Sequence, residues 1–185
     1  MKTQNVPIRA WIGNLGEYNE GYLDGIWVDF PADEDELKEA MKKIHIGDCD
    51  SFGCVYEEVF IADYETEIDG IADVLSEYTP IKNINQLAEA LDGLQDWEVE
   101  TLEAALQLES VRNVADAIGV IEHLDEYDFY PDINTCEDLG RYYADEGCID
   151  IPEELQRYFD FDAYGRDIYY SDCGIFTDSG YIVRY

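Results

Sequence analysis

Apolar and polar positions alternate early in the chain. Ile8, Ala10 and Ile12 are separated by Arg9 and Trp11, the period of a half-buried strand. Residues 14–25 are rich in Gly, Asn, Asp and Tyr and read as a long loop. A second strand is predicted over 26–30, and Pro31 opens a helix over about 33–44, where Leu37, Met41 and Ile44 share a face. A third strand fits 59–64. Spacings of three and four predict helices near 71–78, 85–91, 97–108 and 111–121. The last third reads as a short strand at 128–130, a helix at 137–145 and a helix started by Pro152. A terminal hairpin, 174–177 and 181–184, turns around Asp178-Ser179-Gly180. Strands and helices fall in separate runs, which predicts the α+β class. The expected arrangement is a sheet-plus-helix module over 1–65, a helical module over 66–124 and an α+β module over 125–185.

The chain has 185 residues, 46% of them hydrophobic, with 15 Tyr, 7 Phe and 3 Trp, enough apolar material to fold. Charge changes the picture. Forty-four Asp and Glu against eleven Lys and Arg leave −33, where a magnitude of roughly 2–8 suffices for a small domain's solubility. The excess is spread, at −8, −12 and −13 over residues 1–60, 61–120 and 121–185. Between Lys43 and Lys82 lie ten carboxylates and no Lys or Arg. Duplex DNA carrying 33 charges would be about 16 base pairs, or some 55 Å, whereas a compact chain of this length is only about 40 Å across. Matching the density of DNA therefore favours an elongated shape. Halophilic proteins and calcium-binding modules are acidic too. Direct nucleic-acid binding is disfavoured, because −33 repels phosphate.

Not all acids carry the same meaning. Asp33, Glu34, Asp35 and Glu36 sit in a helix's first turn, where the macrodipole favours anions, and Glu34 with Lys38 and Glu39 with Lys43 are spaced i, i+4. Glu34, Asp35 and Glu39 are thus expected to be matched by Lys38, Lys42 and Lys43. Over 96–108, by contrast, Asp96, Glu100 and Glu103 fall on one face with no cation within reach in sequence. Each such repulsion costs a few tenths of a kcal/mol. A basic partner explains repeated, uncompensated repulsion better than solvation does.

Candidate chemistry is sparse. His45, Cys49 and Cys54 are the residue types of three zinc ligands, but no fourth stands nearby, and a loop histidine with ordinary buried thiols is the reading favoured. The loop from Asp48 has acids at positions 1 and 3 and Gly53 at 6, as in an EF-hand, but Phe52 stands at 5 and Val59 at 12. Ser179 lies in turn chemistry, and no GxGxxG, Walker A or HExxH occurs. The expectation is no enzyme, no cofactor and no metal. Cys49, Cys54, Cys136, Cys148 and Cys173 form no CxxC pair. With an odd count and no signal-peptide pattern, free thiols in the cytoplasm are expected. No apolar run has the length of a membrane span.

The stretch Ile12-Gly13-Asn14-Leu15-Gly16-Glu17-Tyr18-Asn19-Glu20-Gly21, with Gly25, Trp27 and Phe30-Pro31, resembles the opening of ArdA antirestriction proteins. So do Asp63-Tyr64-Glu65, Pro152-Glu153-Glu154-Leu155-Gln156, Tyr158, Asp160, Ala163-Tyr164-Gly165-Arg166-Asp167 and Gly174-Ile175-Phe176. The resemblance implies a mobile-element or phage product acting in a bacterial host, a curved dimer that mimics bent B-form DNA. Its target would be the methyltransferase core of a type I restriction–modification enzyme. The acidic surface is expected on Asp63, Glu65, Glu67, Asp69, Asp73, Glu77, Asp96, Glu100, Glu103, Asp125, Glu126, Asp128 and Asp132. Leu155, Tyr158, Phe159 and Tyr164 are implied as the dimer interface. The residues alone also leave open a nuclease-specific immunity-type inhibitor and a calcium-binding acidic module.

Overall fold

A computed structural model describes residues 6–185. Strand β1 (Ile8–Asn14) buries Ile8, Ala10 and Ile12 and leaves Arg9 and Trp11 partly exposed, as its alternation requires. It ends at Asn14, a buried residue that does two jobs. Its side-chain oxygen accepts from Glu17 N–H at 3.1 Å, and its amide donates to the Ile44 carbonyl at 2.9 Å. The first bond caps a five-residue helix, α1 (Leu15–Asn19), inside the stretch read as a loop.

Strand β2 (Gly25–Phe30) pairs antiparallel with β1. Helix α2 (Glu34–Lys43) starts in a full capping box, with the Asp33 carboxylate accepting from Asp35 and Glu36 N–H and Glu36 reaching back to Asp33 N–H. Strand β3 (Val59–Glu65) completes an antiparallel sheet of order β2-β1-β3. Its register with β1 shifts after Trp11, and Phe60 and Ile61 are both buried, as a bulge allows and strict alternation does not. The helix expected at 71–78 is only a single 3-10 turn, Ala72–Val74. Long-range bonds draw this segment back to β3: Ile61 N–H donates to the Glu77 carbonyl, and Tyr64 O–H to the Ser76 carbonyl.

Helix α3 (Ile81–Asp92) buries Ile84, Leu87, Ala88 and Leu91 and packs on β2, and Asn85 accepts from Ala32 N–H at 2.7 Å. Helix α4 (Asp96–Leu108) separates it in sequence from α5 (Val114–Glu122). The chain forms two compact units. One runs to Leu94 and includes Val111–Ile121; the other comprises Gln95–Ser110 and Glu122–Tyr185.

In the second unit α4 packs on an antiparallel sheet of order β4-β6-β5, built from β4 (Tyr127–Tyr130), β5 (Ile175–Thr177) and β6 (Gly180–Arg184). Helix α6 (Cys136–Asp145) is capped by Thr135. The helix begun by Pro152 is short, α7 (Glu153–Gln156). A longer helix that the aromatic spacings did not reveal follows, α8 (Phe161–Asp172), capped by Asp160. It lies closely along α6. The core gathers Ile133, Leu139, Ile168, Tyr181 and Val183, with Tyr130, Tyr143, Tyr164, Tyr169 and Phe176 packed against it. Helices and two small antiparallel sheets make the fold α+β. Among the described residues no helix is long and apolar enough to cross a membrane.

Candidate acidic interaction surface

The first group of acids occupies the end of β3 and the segment behind it. Asp63, Glu65, Glu67, Asp69, Asp73 and Glu77 are all exposed. Burial pushes the Tyr64 hydroxyl up to about 12, so it stays protonated and holds the backbone beneath these acids by donating to Ser76. Glu65 is matched: Arg9 Nη1 lies 2.5 Å from it, while Arg9 Nε reaches Asp29 at 2.8 Å. The same guanidinium lies 5.2 Å over the Trp27 ring. One arginine holding two carboxylates leaves that knot net negative.

The second group lies in the other unit. Helix α4 turns Thr101, Leu102, Ala104 and Ala105 inward. Asp96 and Glu100 therefore stand exposed on its outer face, with Glu103 half-buried at the same stripe's edge. A capping reciprocity between Gln95 and Glu98 sets where the helix begins, and so which residues form the stripe. Asp125, Asp128 and Asp132 are exposed on the turn before β4, on β4 and just after it. Glu126 is different. Arg184 Nη2 lies 2.6 Å from it, and Arg184 Nη1 meets Glu109 at 2.9 Å. The Arg184 contact holds the Glu126 carboxyl below its ordinary range and raises the guanidinium in turn. Tyr127 O–H donates to Glu109 at 2.8 Å; burial and then this bond push it up to about 12. Again two carboxylates share one arginine.

Three further cations are paired within their own helices. Lys38 meets Glu34 at 3.3 Å and Asp35 at 3.6 Å, Arg141 meets Glu137 at 2.6 Å, and Arg166 pairs with Asp162. Among the described residues no ion pair joins Glu39 to Lys43, so the expected second pair on α2 does not form; a solvated lysine loses rotamer freedom for little gain in pairing. Of the four residues implied as the dimer interface, Leu155 and Tyr158 are exposed. Phe159 contacts Phe161 and Tyr164, and Tyr164 packs against the core of its own unit.

His45 does not meet the cysteines. Its Nδ1 lies 2.7 Å from Glu17 Oε1, and Glu17 is largely buried, with Oε2 buried and unbonded. The hydrogen bond to Glu17, and then its charge, raise the His45 pKa. A raised folded-state value means that this stabilisation is full below the ordinary value of about 6.5 and is lost as pH climbs through the raised one. His45→Asn, which tolerates the left-handed backbone (φ 61°) there, is expected to lower the melting temperature most at pH 5.5 and least near pH 9. A difference constant across that range would contradict the pairing.

Among the described residues no three His, Cys, Asp or Glu converge as metal ligands. In the EF-hand-like loop the Asp50 carboxylate accepts from Phe52 and Cys54 N–H, so it is spent on shaping its own turn. All five cysteines are free thiols. Cavities of about 330 and 320 Å³ occur, one along α6–α8 beside Arg141 and Phe159, the other between β2 and α2 beside Arg9 and Trp27. On their walls Arg9 and Arg141 are already ion-paired to carboxylates, and Arg157 lies 4.6 Å over the Tyr158 ring. Ser179 contacts the hydroxyl of Thr177.

What stands out is acid on both units, mostly exposed, with Arg9, Arg141, Arg166 and Arg184 tied to carboxylates. No curated protein matches the chain at a significant level. The family model described as antirestriction protein (ArdA) matches residues 10–183, nearly the whole length and both units. The chain belongs to the ArdA family of antirestriction proteins.

Proposed function

We propose that the protein is a mimic of B-form DNA that occupies the DNA-binding groove of type I restriction–modification enzymes. The observation that carries this is the exposed, repeated carboxylate on both units: Asp63, Glu67, Asp69, Asp73 and Glu77 on one, Asp96, Glu100, Asp125, Asp128 and Asp132 on the other. Lys and Arg placed for phosphates are satisfied by these carboxylates, and counterions are released as on DNA binding. Base edges are not offered, so the inhibition is indifferent to the recognition sequence. No bond is made or broken, and the protein acts without catalysis, metal or cofactor. Its setting is the cytoplasm of a bacterial host, where the target works. Two chains associate through the C-terminal region, with the exposed Leu155 and Tyr158 as the contacts and Phe159 and Tyr164 behind them.

The test is displacement of labelled duplex DNA from two type I methyltransferases with different recognition sequences. Both are expected to lose DNA over the same concentration range. An inhibitor of one alone is an immunity-type protein, and that result overturns mimicry.

A further inference from the structure

One end of the first unit combines acid with apolar side chains left in water. At the end of β1, Asn14 binds α1 to Ile44, and α1 is tied to the hairpin that follows α2. Tyr56 O–H donates to Glu20 at 3.0 Å, and its ring lies where a Cβ on Gly16 would stand. The hairpin closes through Gly47 N–H to the Tyr56 carbonyl, Tyr56 N–H to the Asp48 carbonyl and Asp50 N–H to the Cys54 carbonyl. Its tip is ordered by Asp50, which accepts from Phe52 and Cys54 N–H, and by Gly53 at a φ of 87°.

That ordered tip presents Phe52, 90% exposed, the most exposed large apolar side chain among the described residues. Leu23, Tyr22, Tyr18 and Val55 are exposed at the same end, on α1, the segment after it and the hairpin. Scattered apolar residues on a surface are ordinary, but an almost fully exposed aromatic held on a hydrogen-bonded frame, with further exposed apolar side chains on the helix tied to that frame, marks an interaction site. Around them stand Glu20, which accepts from Tyr56 O–H, Asp48 and Asp50 on the hairpin itself, and Asp24 in the segment after α1. An anionic nucleic acid is repelled here, and so is a membrane of anionic lipid. A protein surface with an apolar depression ringed by Lys and Arg fits both features.

We infer that the hairpin is an anchoring finger: Phe52 enters an apolar depression on the target enzyme while Asp48, Asp50, Glu20 and Asp24 engage the cations around it. This rests on the function proposed above and deepens it. A phosphate backbone has no such knob, so carboxylates alone fit any cationic groove, whereas the finger selects a protein that has the depression. Aromatic side chains in desolvated pockets, ringed by weaker polar contacts, carry most of the binding energy at protein interfaces.

The experiment compares the full chain with Phe52→Ala and Phe52→Leu in displacing duplex DNA from a type I methyltransferase at two salt concentrations. Phe52→Ala is expected to bind about tenfold more weakly or worse at both salts, because an apolar contact releases no counterions. Phe52→Leu recovers most of the loss, and all three proteins melt alike, since Phe52 lies in water. Equal binding by Phe52→Ala overturns the finger alone. A loss that vanishes at the higher salt does the same, since it makes the contact electrostatic. Absence of displacement by the unaltered protein at either salt overturns the mimic and the finger together.

Discussion

Gly165→Ala is expected to lower the melting temperature by roughly 4–8 °C. Helices α6 and α8 meet backbone to backbone at Gly140 and Gly165. A Cβ at position 165 would lie 1.8 Å from the Cys136 carbonyl oxygen and 2.7 Å from the Gly140 nitrogen. One at position 140 would lie 2.1 Å from the Phe161 carbonyl oxygen. No side-chain rotamer relieves either clash, because every atom met is main chain. The helices must separate, which loosens the core around Leu139, Ile168 and Tyr181. Overpacking of this kind costs about 1–3 kcal/mol, with backbone clashes at the upper end, and each kcal/mol moves a protein of this size by about 2–4 °C. Alanine's helix propensity works in the opposite direction by about 1 kcal/mol. The control is Gly119→Ala on α5, where an added Cβ meets nothing within 4 Å; there propensity acts alone and the melt should hold or rise. A Gly165→Ala protein that melts with or above the unaltered chain would show that the helices do not cross this closely.

Neutralising the outer stripe of α4 is expected to weaken inhibition collectively. Asp96→Asn, Glu100→Gln or Glu103→Gln alone should cost on the order of 1 kcal/mol or less, the range of exposed charge contacts. The triple variant should displace DNA several-fold less well and with a shallower dependence on salt, because fewer counterions are released on binding. Its fold should be intact or firmer, since repulsion at i, i+4 along the stripe is relieved. Glu34 and Asp35, already beside Lys38, should be among the least sensitive acids. Titration at two salt concentrations, with melts alongside, separates these outcomes. One carboxylate whose amide abolishes inhibition in a fully folded protein would be behaviour of a catalytic group, and would end the phosphate-replacement account.

The stripe was legible in sequence because a helix turns i, i+4 and i+7 to one side whatever surrounds it. Glu65 and Glu126 carried no such signal. Their arginines lie 56 and 58 residues away, and only strand pairing brings Arg9 beside β3 and Arg184 beside the turn before β4. The acidic knobs of the hairpin, and Glu17 beneath His45, were hidden for the same reason.

Local periodicity and composition by themselves determined most elements, the α+β class and the surplus of negative charge. Strands β1, β2 and β3, helices α2 to α6 and the terminal hairpin follow from alternation, caps and turns within a few residues. Tertiary structure decided what depends on distant partners. Residues 14–25 contain α1 because Asn14 is held by Ile44; residues 71–78 give up a helix because β3 claims their carbonyls. Helix α8 was invisible because its contact stripe, Phe161, Tyr164, Gly165 and Ile168, includes a glycine. Close backbone approach there replaces the apolar side chain that a hydrophobic pattern registers.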